Sequence, residues 1–175
     1  IQYVALKSMN SFSPDQILFE DNHLIAVNKR AGQLVQGDKT GDACLADEIK
    51  GFLKIKYNKP GNVFCGVIHR LDRPTSGVVI FAKTSKALER MNAQFREKLT
   101  DKSYIALVHG KLSNGDSLVH ELRKNEQKNK SFVVDSGKGK EARLNYNPIR
   151  AFDSYTLIEV NLETGRHHQI RCQMA

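Results

Sequence analysis

The stretch Val67-Ile68-His69-Arg70-Leu71-Asp72-Arg73-Pro74-Thr75-Ser76-Gly77, running on into Val78-Val79-Ile80-Phe81-Ala82-Lys83, sets a dense polar cluster between two apolar segments. Val78–Lys83 is apolar and β-branched and reads as a buried strand. Charged residues between two strand-like segments belong in a loop at a sheet end, where function concentrates. Pro74 restricts Arg73 to extended geometry, and Thr75, Ser76 and Gly77 supply turn chemistry, so Asp72 is expected on a rigid platform. Flanked by Arg70 and Arg73, its carboxylate is expected to stay ionised, a candidate nucleophile or base. An isolated Asp in such a loop more commonly closes a turn or pairs with a surface Arg.

Outward from this loop the chain divides by periodicity. Gln16–Glu20 and His23–Asn28 read as a hairpin turning at Asp21-Asn22. From Ala43 to Tyr57, Leu45, Ile49, Phe52 and Leu53 recur at helical spacing, and Pro60-Gly61 ends the pattern. Ser85–Leu99 carries Leu88, Met91, Phe95 and Leu99 three and four apart, with Thr84 or Ser85 placed to cap it. Beyond it come short β-prone runs at Tyr104–His109, Asp116–Leu122, Ser131–Val134, Arg143–Ala151 and Tyr155–Leu162. The expected fold class is α+β, with a mixed, largely antiparallel sheet and flanking helices. The basic stretch 123–143 reads either as a solvated hairpin or as an RNA-contacting arm.

Composition bounds the possibilities. The chain has 175 residues, 40% hydrophobic and 26% charged, the profile of one folded domain rather than a tail. No apolar run is long enough for a membrane-spanning helix, and Ile1–Asn10 has neither the apolar core nor the cleavage site of a secretory signal. Cys44, Cys65 and Cys172 are odd in number and form no C-x-x-C pair, which argues against a disulfide framework or thiolate metal site and for a cytoplasmic setting. The net charge of +8 suits an anionic partner such as RNA or DNA.

Register eliminates several catalytic motifs. A kinase loop needs H-R-D and an Asn five residues after the Asp, but Leu71 intervenes and Gly77 stands at that offset. Pro74–Val78 lacks the first Gly of a nucleophile elbow, and Gly137-Lys138-Gly139-Lys140 has neither Walker A nor dinucleotide spacing. His167 and His168 are adjacent rather than four apart, so no helix face presents both to a metal.

His69–Gly77 resembles the H-R-L-D-x-x-T-S-G signature of RluA-type pseudouridine synthases. Lys102–Gly110 (KSYIALVHG) resembles the family's K-x-Y-x-A-x-V-x-G strand, and Leu162–Arg171 (LETGRHHQIR) its L-x-T-G-R-x-H-Q-I-R segment. Together with the hairpin ending Val27-Asn28-Lys29, the motifs span roughly residues 16–174. The resemblance implies isomerisation of uridine to pseudouridine in rRNA or tRNA, with the base flipped out and no metal or other cofactor. It assigns catalysis to Asp72, with Arg171 pairing the aspartate and Tyr104 against the base. Arg70, Arg73, Lys83, Lys102, Arg166 and His167 become candidate RNA contacts, with Lys86 a further phosphate contact, and His69 and Thr75 support the loop.

Two departures stand out. Arg30 occupies a position where the family usually has Pro. The chain also stops at Ala175, where the family continues, so 1–175 is expected to be a catalytic domain lacking its C-terminal end. There is no sign of the ribosomal-protein-like accessory domain that many relatives carry, and no obligate protein partner is implied. The rival reading is a non-catalytic RNA-binding or ribosome-assembly factor. A nucleoside glycosidase would call for paired carboxylates, and this loop offers only Asp72.

Overall fold

The computed structural model describes residues 11–175, so Ile1–Asn10, read above as lacking a signal, lies outside the described residues. The chain forms two compact units divided between Gln94 and Phe95. In the first, β1 (Ile17–Glu20), β2 (Leu24–Lys29), β3 (Gly66–Val67) and β4 (Gly77–Ala82) form an antiparallel sheet in the order β1-β2-β4-β3. The expected hairpin turns on Asp21, whose carboxylate accepts the His23 and Leu24 N–H groups at 2.7 and 2.6 Å.

Against this sheet lies α1 (Leu45–Lys56). Leu45, Ile49 and Leu53, four apart, are buried with Ile25, Val27, Val79 and Phe81, each such side chain contributing roughly 1.5–3 kcal/mol. Two orphan donors at the helix start are met by main chain: Leu45 N–H donates to Leu34 O and Ala46 N–H to Val35 O. Asp47 and Glu48 in the first turn and Lys54 and Lys56 in the last complement the helix dipole.

The second expected helix, α2, spans Ser85–Arg96 rather than reaching Leu99. Thr84 caps it, its hydroxyl accepting the Ala87 N–H at 3.1 Å. Lys98 then takes a left-handed φ of 58°, which ends the helix and leaves Leu99 exposed.

In the second unit, β5 (Ser103–His109), β6 (Asp116–Asn125), β7 (Lys130–Val134), β8 (Lys140–Ala151) and β9 (Tyr155–Leu162) form a second antiparallel sheet, ordered β5-β9-β8-β6-β7. The α+β class and the largely antiparallel pairing expected from sequence therefore stand, with the strands divided between two sheets. Strand propensity marks the segments and not their partners. Pro148, which has no N–H to give, sits where the β8–β9 register shifts. A five-residue helix, α3 (Gln169–Gln173), packs Ile170 and Met174 onto the face that buries Leu144, Tyr146, Ile158 and Val160. Among the described residues no helix is long and apolar enough to cross a membrane.

Candidate active site

In the first unit Asp72 is half-buried in the turn between β3 and β4. Its carbonyl accepts the Thr75 N–H at 3.0 Å, closing the turn that Pro74 and Thr75 predict. Gly77 leaves the turn at φ +134°, a conformation L side chains rarely adopt, and so permits direct re-entry into β4. The Leu71 side chain packs on the core beneath. His69 Nε2 accepts the Ile80 N–H at 3.1 Å, satisfying a β4 donor beyond the last residue of β3. That bond leaves the ring proton on Nδ1.

The feature sequence reasoning missed is Lys29. Its side chain is fully buried at the end of β2, and its ammonium donates to three backbone carbonyls: Arg30 at 3.1 Å, Arg73 at 3.0 Å and Thr75 at 2.6 Å. All three donor positions of the ammonium are thus used, two of them on the aspartate loop. Burial depresses the Lys29 pKa to about 8, against an opposing pull from the Asp72 carboxylate. Positive charge coupled to Asp72 therefore comes from beneath the loop as well as along it. The only available signal was the Lys in Val27-Asn28-Lys29, and a lysine closing a strand ordinarily reads as solvated.

Arg73, expected as an RNA contact, is exposed and also links two loops. Its Nη1 meets Asp42 at 2.8 Å and its Nε donates to Gly32 O at 3.1 Å, tying the 32–42 loop to the aspartate loop. Lys83 is likewise engaged: its side chain is only 8% exposed, 2.7 Å from Glu20 and 4.8 Å over the Tyr57 ring. A phosphate would have to displace Glu20 to reach it. Arg70 is exposed on the loop, and Lys86 is exposed on the first turn of α2. Arg30 pairs with Asp15 at 2.7 Å, and its N–H donates to Gln33, a bond that Pro could not make. Gln33 and Gln16 are buried and bonded to each other, and Gln16 also holds Asn28 O at 2.7 Å.

The second unit carries the other expected residues, Tyr104, Lys102, Arg166, His167 and Arg171. Tyr104 on β5 is opposite Val160, which is opposite Tyr146, and it packs half-buried on their face. Lys102 is half-buried just before β5, its pKa lowered by burial and by Lys98. Arg171 is exposed on α3, the helix packed over the same face.

Segment 164–169 is built by two buried polar side chains. Thr164 Oγ1 accepts the Arg143 N–H at 2.9 Å and donates to Gln169 Oε1, which also accepts the Arg166 N–H. Gln169 Nε2 donates to Arg143 O at 3.0 Å. The turn thus projects Arg166, whose Nε donates to Glu141 O at 2.7 Å, and His167, whose Nδ1 lies 3.0 Å from Ser131 Oγ. His168 takes a left-handed φ of 52° before α3 and stacks on His167 at 3.8 Å. Among the described residues no three His, Cys, Asp or Glu side chains cluster to hold a metal ion.

Residues 23–175 match the family described as RNA pseudouridylate synthase. The chain belongs to that family. The chain is similar to two curated proteins: ribosomal large subunit pseudouridine synthase C of Buchnera aphidicola subsp. Acyrthosiphon pisum, 40% identical over 159 residues, and ribosomal large subunit pseudouridine synthase D of Borreliella burgdorferi, 35% identical over 167. These alignments cover 90% and 92% of the chain but 49% and 51% of the relatives, so the chain spans about half their length. The solved structure of human RNA Pseudouridylate Synthase Domain Containing 4 superposes with a TM-score of 0.74 at 24% identity, over 90% of this chain and 62% of that one. That likeness establishes a pseudouridylate synthase fold.

Proposed function

We propose that the protein isomerises specific uridines to pseudouridine in structured RNA. In that reaction the N1–C1′ bond breaks, the uracil turns, a C5–C1′ bond forms, and the C5 proton is lost while N1 gains one. No atom is added and no electron is transferred. The observation that carries the reading is Asp72 in the family's H-R-L-D-x-x-T-S-G loop, on a turn anchored by the buried Lys29 ammonium. Asp72 acts on the sugar, as nucleophile at C1′ or as base. Arg171 pairs with and orients the carboxylate, while Tyr104 lies against the base and serves in removing the C5 proton. Arg70, Lys102, Arg166 and His167 contact RNA, and His69 and Thr75 hold the loop.

Large-subunit rRNA is the first substrate class to test, because both relatives described above are named for that subunit; tRNA is the second. A cytoplasmic setting, free of any obligate protein partner, completes the proposal. The chain should release tritium from rRNA transcripts labelled at uridine C5, and Asp72→Asn should abolish release while still binding RNA. Release unchanged by Asp72→Asn would remove the aspartate from the mechanism. RNA binding without release from rRNA or tRNA would favour a non-catalytic binding factor.

A further inference from the structure

The second unit contains a cleft of about 520 Å³, lined by Lys124, Lys140, Arg166 and His167 among others. Strand register fixes its position. Leu122 is opposite both Lys140 and Val133, and Lys124 is opposite Ser131. Side chains two apart on a strand share a face, so Lys124, Lys140 and Ser131 lie on the face that carries Tyr146 and, across β9, Tyr104. The acids Glu121 and Glu141, opposite each other, fall on the reverse face by the same alternation. Six residues along β8 separate Lys140 from Tyr146. At about 3.4 Å per residue and 4.8 Å per strand, the cleft lies roughly 20–25 Å from Tyr104.

The lining selects the occupant. Lys140 makes no ion pair among the described residues, and the Arg166 guanidinium meets a neutral carbonyl. Among the described residues Lys124 pairs with Glu126, the one acid in the lining and an exposed one. Among the described residues no Phe, Tyr or Trp lines the cleft, and the one aromatic ring there, His167, is already stacked on His168, so none of them offers a bare platform for a base. A polyanion whose charges are carried on a sugar–phosphate chain fits where a nucleobase does not.

We propose that this cleft is a second RNA contact, which holds phosphodiester backbone flanking the target uridine through Lys124, Lys140, Arg166 and His167. It rests on the RNA-acting reading above and adds a binding step that the catalytic loop does not provide. Such a contact strengthens binding without distinguishing sequences, and it places the RNA before the base is extruded.

The test is fluorescence anisotropy of the full chain with a fluorescein-labelled RNA stem–loop carrying uridines in its loop, from 50 to 300 mM KCl. Lys124→Gln/Lys140→Gln should lower the slope of log affinity against log salt by about 1.4–1.8, at 0.7–0.9 per lost phosphate contact. Single-turnover tritium release at saturating protein should be unchanged. Lys124→Arg/Lys140→Arg should restore the slope. Lys54→Gln/Lys59→Gln, which removes the same charge from exposed positions in the first unit, should leave it alone. A wild-type slope in the cleft variant, or an equal fall in the control, overturns the proposal. If the wild-type chain releases no tritium from any RNA yet the cleft variant still loses slope, the isomerase reading fails and the RNA contact stands.

Discussion

The Lys29 ammonium and the Thr75 carbonyl lie 2.6 Å apart although 46 residues separate them. One buried charge thus joins the end of β2 to the loop that carries Asp72. Because it binds carbonyls, it fixes the path of the loop backbone while leaving the loop's side chains to the solvent and the substrate.

Lys29→Met should therefore reduce activity more than the loss of fold would explain. It leaves the Arg30, Arg73 and Thr75 carbonyls without their buried donor, at a cost of roughly 2–4 kcal/mol. Urea unfolding should show a lowered midpoint. In conditions where the variant is still fully folded, single-turnover tritium release should fall by at least about tenfold, because the Asp72 loop is no longer held. Full activity in a folded variant would show that the lock is not needed for chemistry.

Activity should decline as pH rises through about 8, where the Lys29 ammonium loses a proton. The neutral amine donates two hydrogen bonds instead of three and no longer offers positive charge to Asp72. The stability change has the opposite sign. Between pH 8 and 10.5 the unfolded chain keeps the proton that the folded one has lost, so this group makes unfolding harder as pH rises. A pH–rate profile beside a pH–melting profile will separate the two. A fall in rate that tracked a fall in melting temperature would point elsewhere.

Acid should destabilise the first unit through Glu20. Burial pushes its pKa up, but hydrogen bonds from Lys56, Lys83 and Tyr57 outweigh burial and hold it near 2, below its ordinary value of 4.5. A depressed carboxylate contributes stability above its unfolded pKa and loses it as pH falls toward the folded one. On the order of 2–3 kcal/mol should disappear between about pH 5 and 2. Glu20→Gln should be less stable at pH 7 and show a flatter decline across that window in thermal melts.

Much of the fold was legible because its periodicities are strong. Leu45, Ile49 and Leu53 marked α1, and every β-prone run became a strand within a few residues. The Asp72 loop was legible because Pro, Thr, Ser and Gly have restricted backbone choices. What escaped was buried polar structure: Lys29, Thr164, Gln169 and the Gln16–Gln33 pair earn their positions through partners far away in the chain, which no local pattern encodes. The partners of two basic residues were equally illegible: Lys83 pairs with Glu20 and Arg73 with Asp42.

The pairing of β5 with β9 sets a schedule for the nascent chain. Ser103 leaves the ribosome 58 residues before Asn161, to which it bonds. At translation rates of roughly 5–20 residues per second, β5 waits about 3–12 s for the strand that completes its ladder. During that interval Ala106 and Val108, which pack on the core of the finished sheet, are in water beside an unpaired backbone. The second sheet therefore closes late and from the C-terminal side, and slowed synthesis lengthens its exposure to aberrant pairing.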